Sequence, residues 1–254
     1  MIVLLSPAKS LNFEPAKIKR HSTPRLLDES TELVGHLKTK SANSIKKLMG
    51  VSDNIATLNV SRFNNFETPF TLDNAKQAIL AFNGDVYTGL EADSFDSKDM
   101  TFAQKHIRIL SGLYGVLKPL DLMQPYRLEM GTRLKVKRKK NLYEFWDEKI
   151  TSVINEDLTK SKGTVILNLA SKEYFSSVKP KLVDGKIVHV HFKELRNGQY
   201  KVISFKAKKA RGKMANLIVK NRITDIKSLS KLDVDGYLYS KELSDENNLF
   251  FGKE

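Results

Sequence analysis

The stretch IRILSGLYG, Ile107–Gly115, decides how the rest of the chain is read. A β-branched and leucine-rich run stops on Ser111 and Gly112, and the chain then turns. IVLLSPAK (Ile2–Lys9) and TVILNLASKEY (Thr164–Tyr174) share this grammar. Short, wholly apolar strands of this kind suit a sheet covered on both faces, as in α/β proteins. KQAILAFNGDVYTGL (Lys76–Leu90) offers a fourth such run, broken at Gly84. Between the runs lie helical patterns. NLYEFWDEKITSVINEDL places Leu142, Phe145, Trp146, Ile150, Val153, Ile154 and Leu158 on one stripe. SKDMTFAQKHI supplies Ser97 and Asp99 as candidate caps. KIVHVHFKELRNGQYKVISFKA alternates on either side of Asn197-Gly198, a hairpin signal, and a basic helix from Lys208 to about Arg222 follows. There is no repeat of fixed period and no Pro/Gly/Ser-rich linker. The pattern predicts one mixed α/β domain over residues 1–254, with a central mixed sheet and surrounding helices.

The same apolar run continues as LSGLYGVLKPLDLMQPYRLEMG, Leu110–Gly131. Glycines and prolines break it too often for a long helix, and it is too apolar for an exposed linker. An irregular segment packed in the interior is expected, carrying few polar groups.

The 254 residues are enough for one well-cored domain or two small ones. Lys and Arg number 43 against 29 Asp and Glu, a net charge of +14, which favours a polyanionic partner. Nucleic acid is the simplest such partner and an anionic membrane the rival. With no cysteine, disulfides, thiolate chemistry, Fe–S clusters and cysteine-ligated zinc are excluded. The opening apolar run of four residues is too short for a signal peptide or a span and reads as a buried strand. A cytoplasmic location without membrane attachment is expected.

Three constellations carry candidate chemistry. In SIKKLMGVSDNIATLNVSRF, Ser44–Phe63, two short helices meet at a tight turn, with Ile45, Leu48, Val51, Ile55 and Leu58 between them and Ala56 permitting close approach. A glycine turn lets a backbone approach a phosphate, and the free N–H groups opening the second helix then point at the anion. Gly50, Ser52 and Asn54 belong to that turn, and Lys46, Lys47 and Arg62 add charge. Second, KVKRKKN (Lys135–Asn141) reads as solvated surface, whereas FKAKKARGK offers Lys206, Lys208, Lys209, Arg211 and Lys213 among small residues, a candidate phosphate patch. Third, the strand ends bring Ser6 and Lys9, Ser111 and Tyr114, and Asn168, Ser171 and Tyr174. Parallel neighbours would align these on the edge where open α/β sheets hold ligands, unless each only caps its own helix. No phosphate loop or dinucleotide fingerprint is present. His189 and His191 share a strand face, a weak hint, and no metal or cofactor is predicted.

Together LLSPAKS, FNGDVYTGL, LSGLYGVLKPLDLMQPYRLEMG, LNLASKEYFSSVKP and SFKAKKARG resemble the YaaA family of bacterial peroxide-stress proteins, from Met1 to about Tyr239. The turn above resembles the helix-hairpin-helix of DNA repair proteins, with Ser52 where a second glycine is usual and Asp53 beside the phosphate position. The family resemblance implies an α/β fold outside the common superfolds, with that element (about 42–66) beside a basic cleft. It implies binding to double-stranded and branched DNA, and protection against intracellular iron and hydrogen peroxide; no obligate protein partner is inferred. In this reading Arg127 pairs with Glu129 or binds a phosphate. The alternative is an enzyme acting on a nucleobase, nucleotide or nucleic acid at Ser6, Lys9, Ser111, Tyr114, Arg127, Asn168, Ser171 and Tyr174. There a partly buried Lys9 would be the first residue to test as base or nucleophile.

Overall fold

Three apolar runs with the same ending become three adjacent parallel strands. A computed structural model describes residues 1–254. The main sheet contains β1 (Ile2–Leu5), β2 (Ile107–Ser111), β3 (Gly115–Leu117), β4 (Val165–Asn168), β5 (Lys186–Arg196), β6 (Gln199–Lys201), β7 (Leu238–Ser240) and β8 (Asn248–Lys253). Their order is β7-β8-β5-β4-β1-β2-β3, with β6 beside β5. The five central strands from β8 to β2 are parallel, and the antiparallel β3, β6 and β7 attach at their margins. Val3 lies opposite Ile107 and Leu167, which puts β1 at the centre of the α/β sheet. Every residue of β1 and β2 is buried, as expected where helices cover both faces.

The helices that matter here are α1 (Leu27–Lys38), α2 (Ala42–Met49), α3 (Asp53–Asn64), α4 (Asp85–Leu90), α5 (Ser97–His106), α6 (Leu142–Trp146), α7 (Lys149–Lys160), α8 (Lys172–Phe175) and α9 (Ser204–Lys220). All seven apolar residues of the expected 142–158 stripe are buried, but the helix is broken at Asp147, which has φ +44°. The cap of α5 is Asp96, one residue before Ser97. Asp96 accepts from the Asp99 N–H, and Asp99 accepts in return from the Asp96 N–H. Asn197 and Gly198 both have positive φ and close the β5–β6 hairpin. No helix is long and apolar enough to cross a membrane.

Lys76–Leu90 supplies no strand to the main sheet. Ala78–Ala81 is a single helical turn between two-residue bridges, one to Leu122–Met123 and the other to Ser10–Leu11. Its N–H groups instead reach the irregular chain, Ala78 to the Asp121 carbonyl and Ile79 to that of Pro119.

That irregular chain is mostly buried, and most of its polar groups find partners within the protein, the Arg127 Nε being an exception. Ser111 Oγ lies 2.6 Å from the Tyr126 hydroxyl and accepts from the Tyr114 N–H. The Tyr114 hydroxyl accepts from Gln124 N, and Trp146 Nε1 donates to the Gly112 carbonyl. A Cβ on Gly112 would overlap the Leu128 carbonyl oxygen, so glycine is required for the segment to fold back on itself. Its tail delivers Arg127 and Glu129 to the edge of the sheet.

Candidate functional site

Because β1 and β4 are parallel neighbours, the loops that follow them leave the sheet at the same edge. Ser6 fastens the two together, its Oγ accepting the Ser171 N–H at 2.9 Å. Around this junction lies a cavity of about 480 Å³. One wall is Ser6–Ser10, another Asn83–Val86, and the remainder comes from Glu129, Ser171, Glu173, Tyr174, Lys208 and Arg211.

The cavity lining carries both signs of charge. Lys208 and Arg211 project from α9, one turn apart. Arg211 Nε is buried without a hydrogen-bond partner, and burial lowers the proton affinity of the guanidinium. Carboxylates line the same cavity. Glu129 pairs with Lys9 and with Arg127, each at 3.0 Å. Glu173 accepts the Gly131 N–H at 2.9 Å, and Asp85 stands at the start of α4. Burial, reinforced by Tyr126 and the carboxylates of Glu173 and Glu129, raises the Tyr174 phenol well above its ordinary value, so it is a neutral donor.

Helix α9 sits in the wall because it touches α4 backbone to backbone. A Cβ on Gly89 would overlap the Lys209 carbonyl, and one on Gly212 would overlap that of Val86. The helix starts at Ser204, a turn earlier than Lys208, where the basic run had suggested it begins. Lys206 consequently faces the sheet and pairs with buried Glu194 at 3.0 Å, while Lys213 pairs with Glu91 at 3.3 Å. Lys208 and Lys209 remain exposed and without a carboxylate partner.

Two of the predicted constellations are therefore one site. Ser6, Lys9, Ser171 and Tyr174 line it with Lys208 and Arg211, and Arg127 reaches it through Glu129. Ser111 and Tyr114 do not line it, since they support the irregular chain behind. Asn168 holds the Ala170 N–H and the His189 ring, a turn-forming role. His191 bonds Asn248. Lys9 is not partly buried: its side chain is 62% exposed and bound to Glu129. The Arg127–Glu129 pair was anticipated, whereas Asn83, Asp85 and Glu173 escaped the sequence reading, although each is a polar residue beside apolar or aromatic ones.

The helical hairpin lies next door. Gly50 ends α2 with φ +62°, and Ser52 caps α3 by accepting the Ile55 N–H. Ile45 and Ala56 are buried between the helices, but Leu58 is 48% exposed and the inward position is taken by Asn59, bonded to the Ile55 carbonyl. Lys46 neutralises Asp53 at 2.8 Å, which removes the repulsion that Asp53 would present to an anion at the turn. Lys47 lines a groove with Glu129, Gly131, Arg133 and Glu173. Glu129 and Glu173 line the cavity as well, so groove and cavity adjoin. Asn54 is exposed at the turn, and Arg62 sits near the far end of α3 in a separate recess with Leu11, Phe13 and Gln124. The basic run 135–140 forms a tight turn closed by Val136 and Lys139, in which Lys137 pairs with Glu32 and Lys139 with Asp147.

The sequence model of a family described as peroxide stress protein YaaA matches residues 1–243. The chain belongs to the YaaA family. A UPF0246 protein of Alteromonas mediterranea is 53% identical over 252 residues, covering 99% of this chain and 97% of that protein. In this YaaA-family chain the five segments that carry the resemblance, though far apart in sequence, all supply residues to the one cavity.

Proposed function

We propose that the protein acts in the peroxide-stress response by binding DNA through its phosphates, in the cytoplasm, and so limits the damage that iron and hydrogen peroxide inflict there. The observation that carries this reading is the shared wall. The hairpin turn and the Lys208-bearing helix are separate in sequence, yet Glu129 and Glu173 border both the groove below one and the cavity below the other.

In this reading a phosphate sits at the start of α3, where the exposed N–H groups of Asp53 and Asn54 and the Ser52 hydroxyl are available to an anion. Lys47 and Arg133 continue the contact along the groove, and Lys208 and Lys209 meet the next phosphates at the cavity rim. In this reading the contacts are to phosphates and not to base edges, so sequence preference is weak and branched or bent DNA binds by shape.

The test is fluorescence anisotropy with duplex, single-stranded and four-way-junction DNA across a salt series. Gly50→Val and the Lys208→Ala/Lys209→Ala pair should each weaken binding, by about tenfold or more for changes that remove charge-assisted contacts. Absence of wild-type binding at moderate salt would overturn the reading.

A further inference from the structure

The cavity is more than a rim for a DNA backbone, because its lining offers both cations without a carboxylate partner and carboxylate oxygens without a donor. On the α9 side, Arg211 lines the cavity, pairs with no carboxylate, and carries a buried Nε–H that no protein atom accepts. Buried polar groups are ordinarily paired, and a guanidinium fork without a carboxylate suits a phosphate held by two parallel hydrogen bonds. Lys208 lines the same wall and adds a second cation. Among the carboxylates of the lining, Glu129 is already engaged by Lys9 and Arg127, whereas Asp85, at the start of the helix packed on α9, has no protein partner and Glu173 has one oxygen uncommitted. Those acceptors suit hydroxyl or amino donors. Inorganic phosphate would leave them unused, and a dianion with charge at both ends would be repelled by them. The volume, about 480 Å³, falls in the range of small-molecule sites.

We propose that this cavity binds one nucleotide unit, a nucleoside monophosphate with its phosphate on Arg211 and Lys208 and its sugar or base donors on Asp85 and Glu173. The unit is either a free nucleotide or a nucleotide swung out of a DNA strand held at the adjoining hairpin. The proposal does not depend on the DNA reading, since a free nucleotide satisfies every contact in it.

Calorimetric titration with each of the four deoxynucleoside monophosphates, with the matching deoxynucleosides and with inorganic phosphate tests the assignment. At least one monophosphate should bind, with its deoxynucleoside and inorganic phosphate each about tenfold weaker or worse. Arg211→Met should remove that binding by a similar factor while thermal unfolding shows the fold intact. Arg211→Lys should recover part of it, and Glu173→Gln should weaken the monophosphate but not inorganic phosphate. Failure of all four monophosphates to bind wild type at millimolar concentration overturns the proposal. So does inorganic phosphate binding as tightly as the nucleotide, or nucleotide binding that ignores Arg211→Met. To separate the sources, duplex DNA carrying one unpaired nucleotide is titrated with saturating monophosphate present. Competition assigns the cavity to a strand nucleotide, and independence assigns it to a free one; both keep the site. Gly50→Val marks failure of the DNA reading separately, because it alters the hairpin and not the cavity.

Discussion

Asp157 lies buried beneath Arg108 and Arg25, with Lys118 nearby, and shows what a single carboxylate does in so basic a chain. Burial alone would raise its carboxyl, but hydrogen bonds and charge from Arg108 and Arg25 outweigh that and hold it below the usual range. Arg108 is itself buried and has no other carboxylate. Asp157→Ala should therefore cost about 3–5 kcal/mol in chemical denaturation, the penalty for leaving a buried charge uncompensated. Glu194 is held at about 2, first by Lys206 and then by Arg196 and Tyr237. In Asp99, hydrogen bonds from Lys220 and Arg222 overcome the effect of burial and give a value of about 2. A carboxyl lowered in the folded state stabilises it above the unfolded value and loses that contribution as pH falls towards the folded value. Melting temperature should thus fall progressively from about pH 5 to about pH 2. Glu194→Gln should flatten that dependence, and a variant with the wild-type slope would show that Glu194 does not contribute to it. Sequence could supply the charges in these clusters but not their pairing, because Arg25 and Asp157 are 132 residues apart.

At the scale of elements, the legible features were those whose cause is local. β1, β2 and β4 were readable because strands covered on both faces read as near-continuous apolar runs, interrupted in β2 only by Arg108, and the β5–β6 turn because both its residues need positive φ. The Lys76–Leu90 segment was not. Its small apolar residues suit a strand or a buried helical turn equally, and contact with Pro119–Asp121 made the choice. The same limit applied to the site: the basic run and the strand ends were each visible, but their union depends on Gly89 and Gly212 bringing α4 and α9 into backbone contact. Gly212→Ala places a methyl against backbone that has no side-chain freedom to yield. It should destabilise the fold by about 1–3 kcal/mol or more, and displace the wall bearing Lys208 and Arg211. The hairpin responds differently. Nothing lies within 4 Å of a Cβ at Gly50, so only its φ of +62° resists substitution. Gly50→Asn should be tolerated, whereas Gly50→Val should cost about 1–2 kcal/mol in local order and lose DNA affinity. Equal loss of affinity in both variants would mean that the side chain, and not the turn conformation, matters.

For the whole molecule, a net charge of +14 is too coarse a guide to where a polyanion binds. Much of the excess is committed: Lys46 to Asp53, Lys137 to Glu32, Lys206 to Glu194 and Lys213 to Glu91. The proposed track leaves Lys47, Arg133, Lys208 and Lys209, which line the groove and the cavity rim or stand exposed beside them. If these four displace counterions from duplex DNA, log affinity should fall against log salt with a slope of about −3 to −4. Lys208→Ala/Lys209→Ala should then make the slope shallower by about 2, each lost cation releasing one counterion fewer. Lys137→Ala/Lys139→Ala removes as much charge from side chains already paired with Glu32 and Asp147, and should leave the slope unchanged. Affinity measured over five or more salt concentrations separates the two cases. Equal effects from both pairs would mean that net charge, and not the cavity rim, holds the DNA, and the hairpin and α9 would lose their claim to a common track.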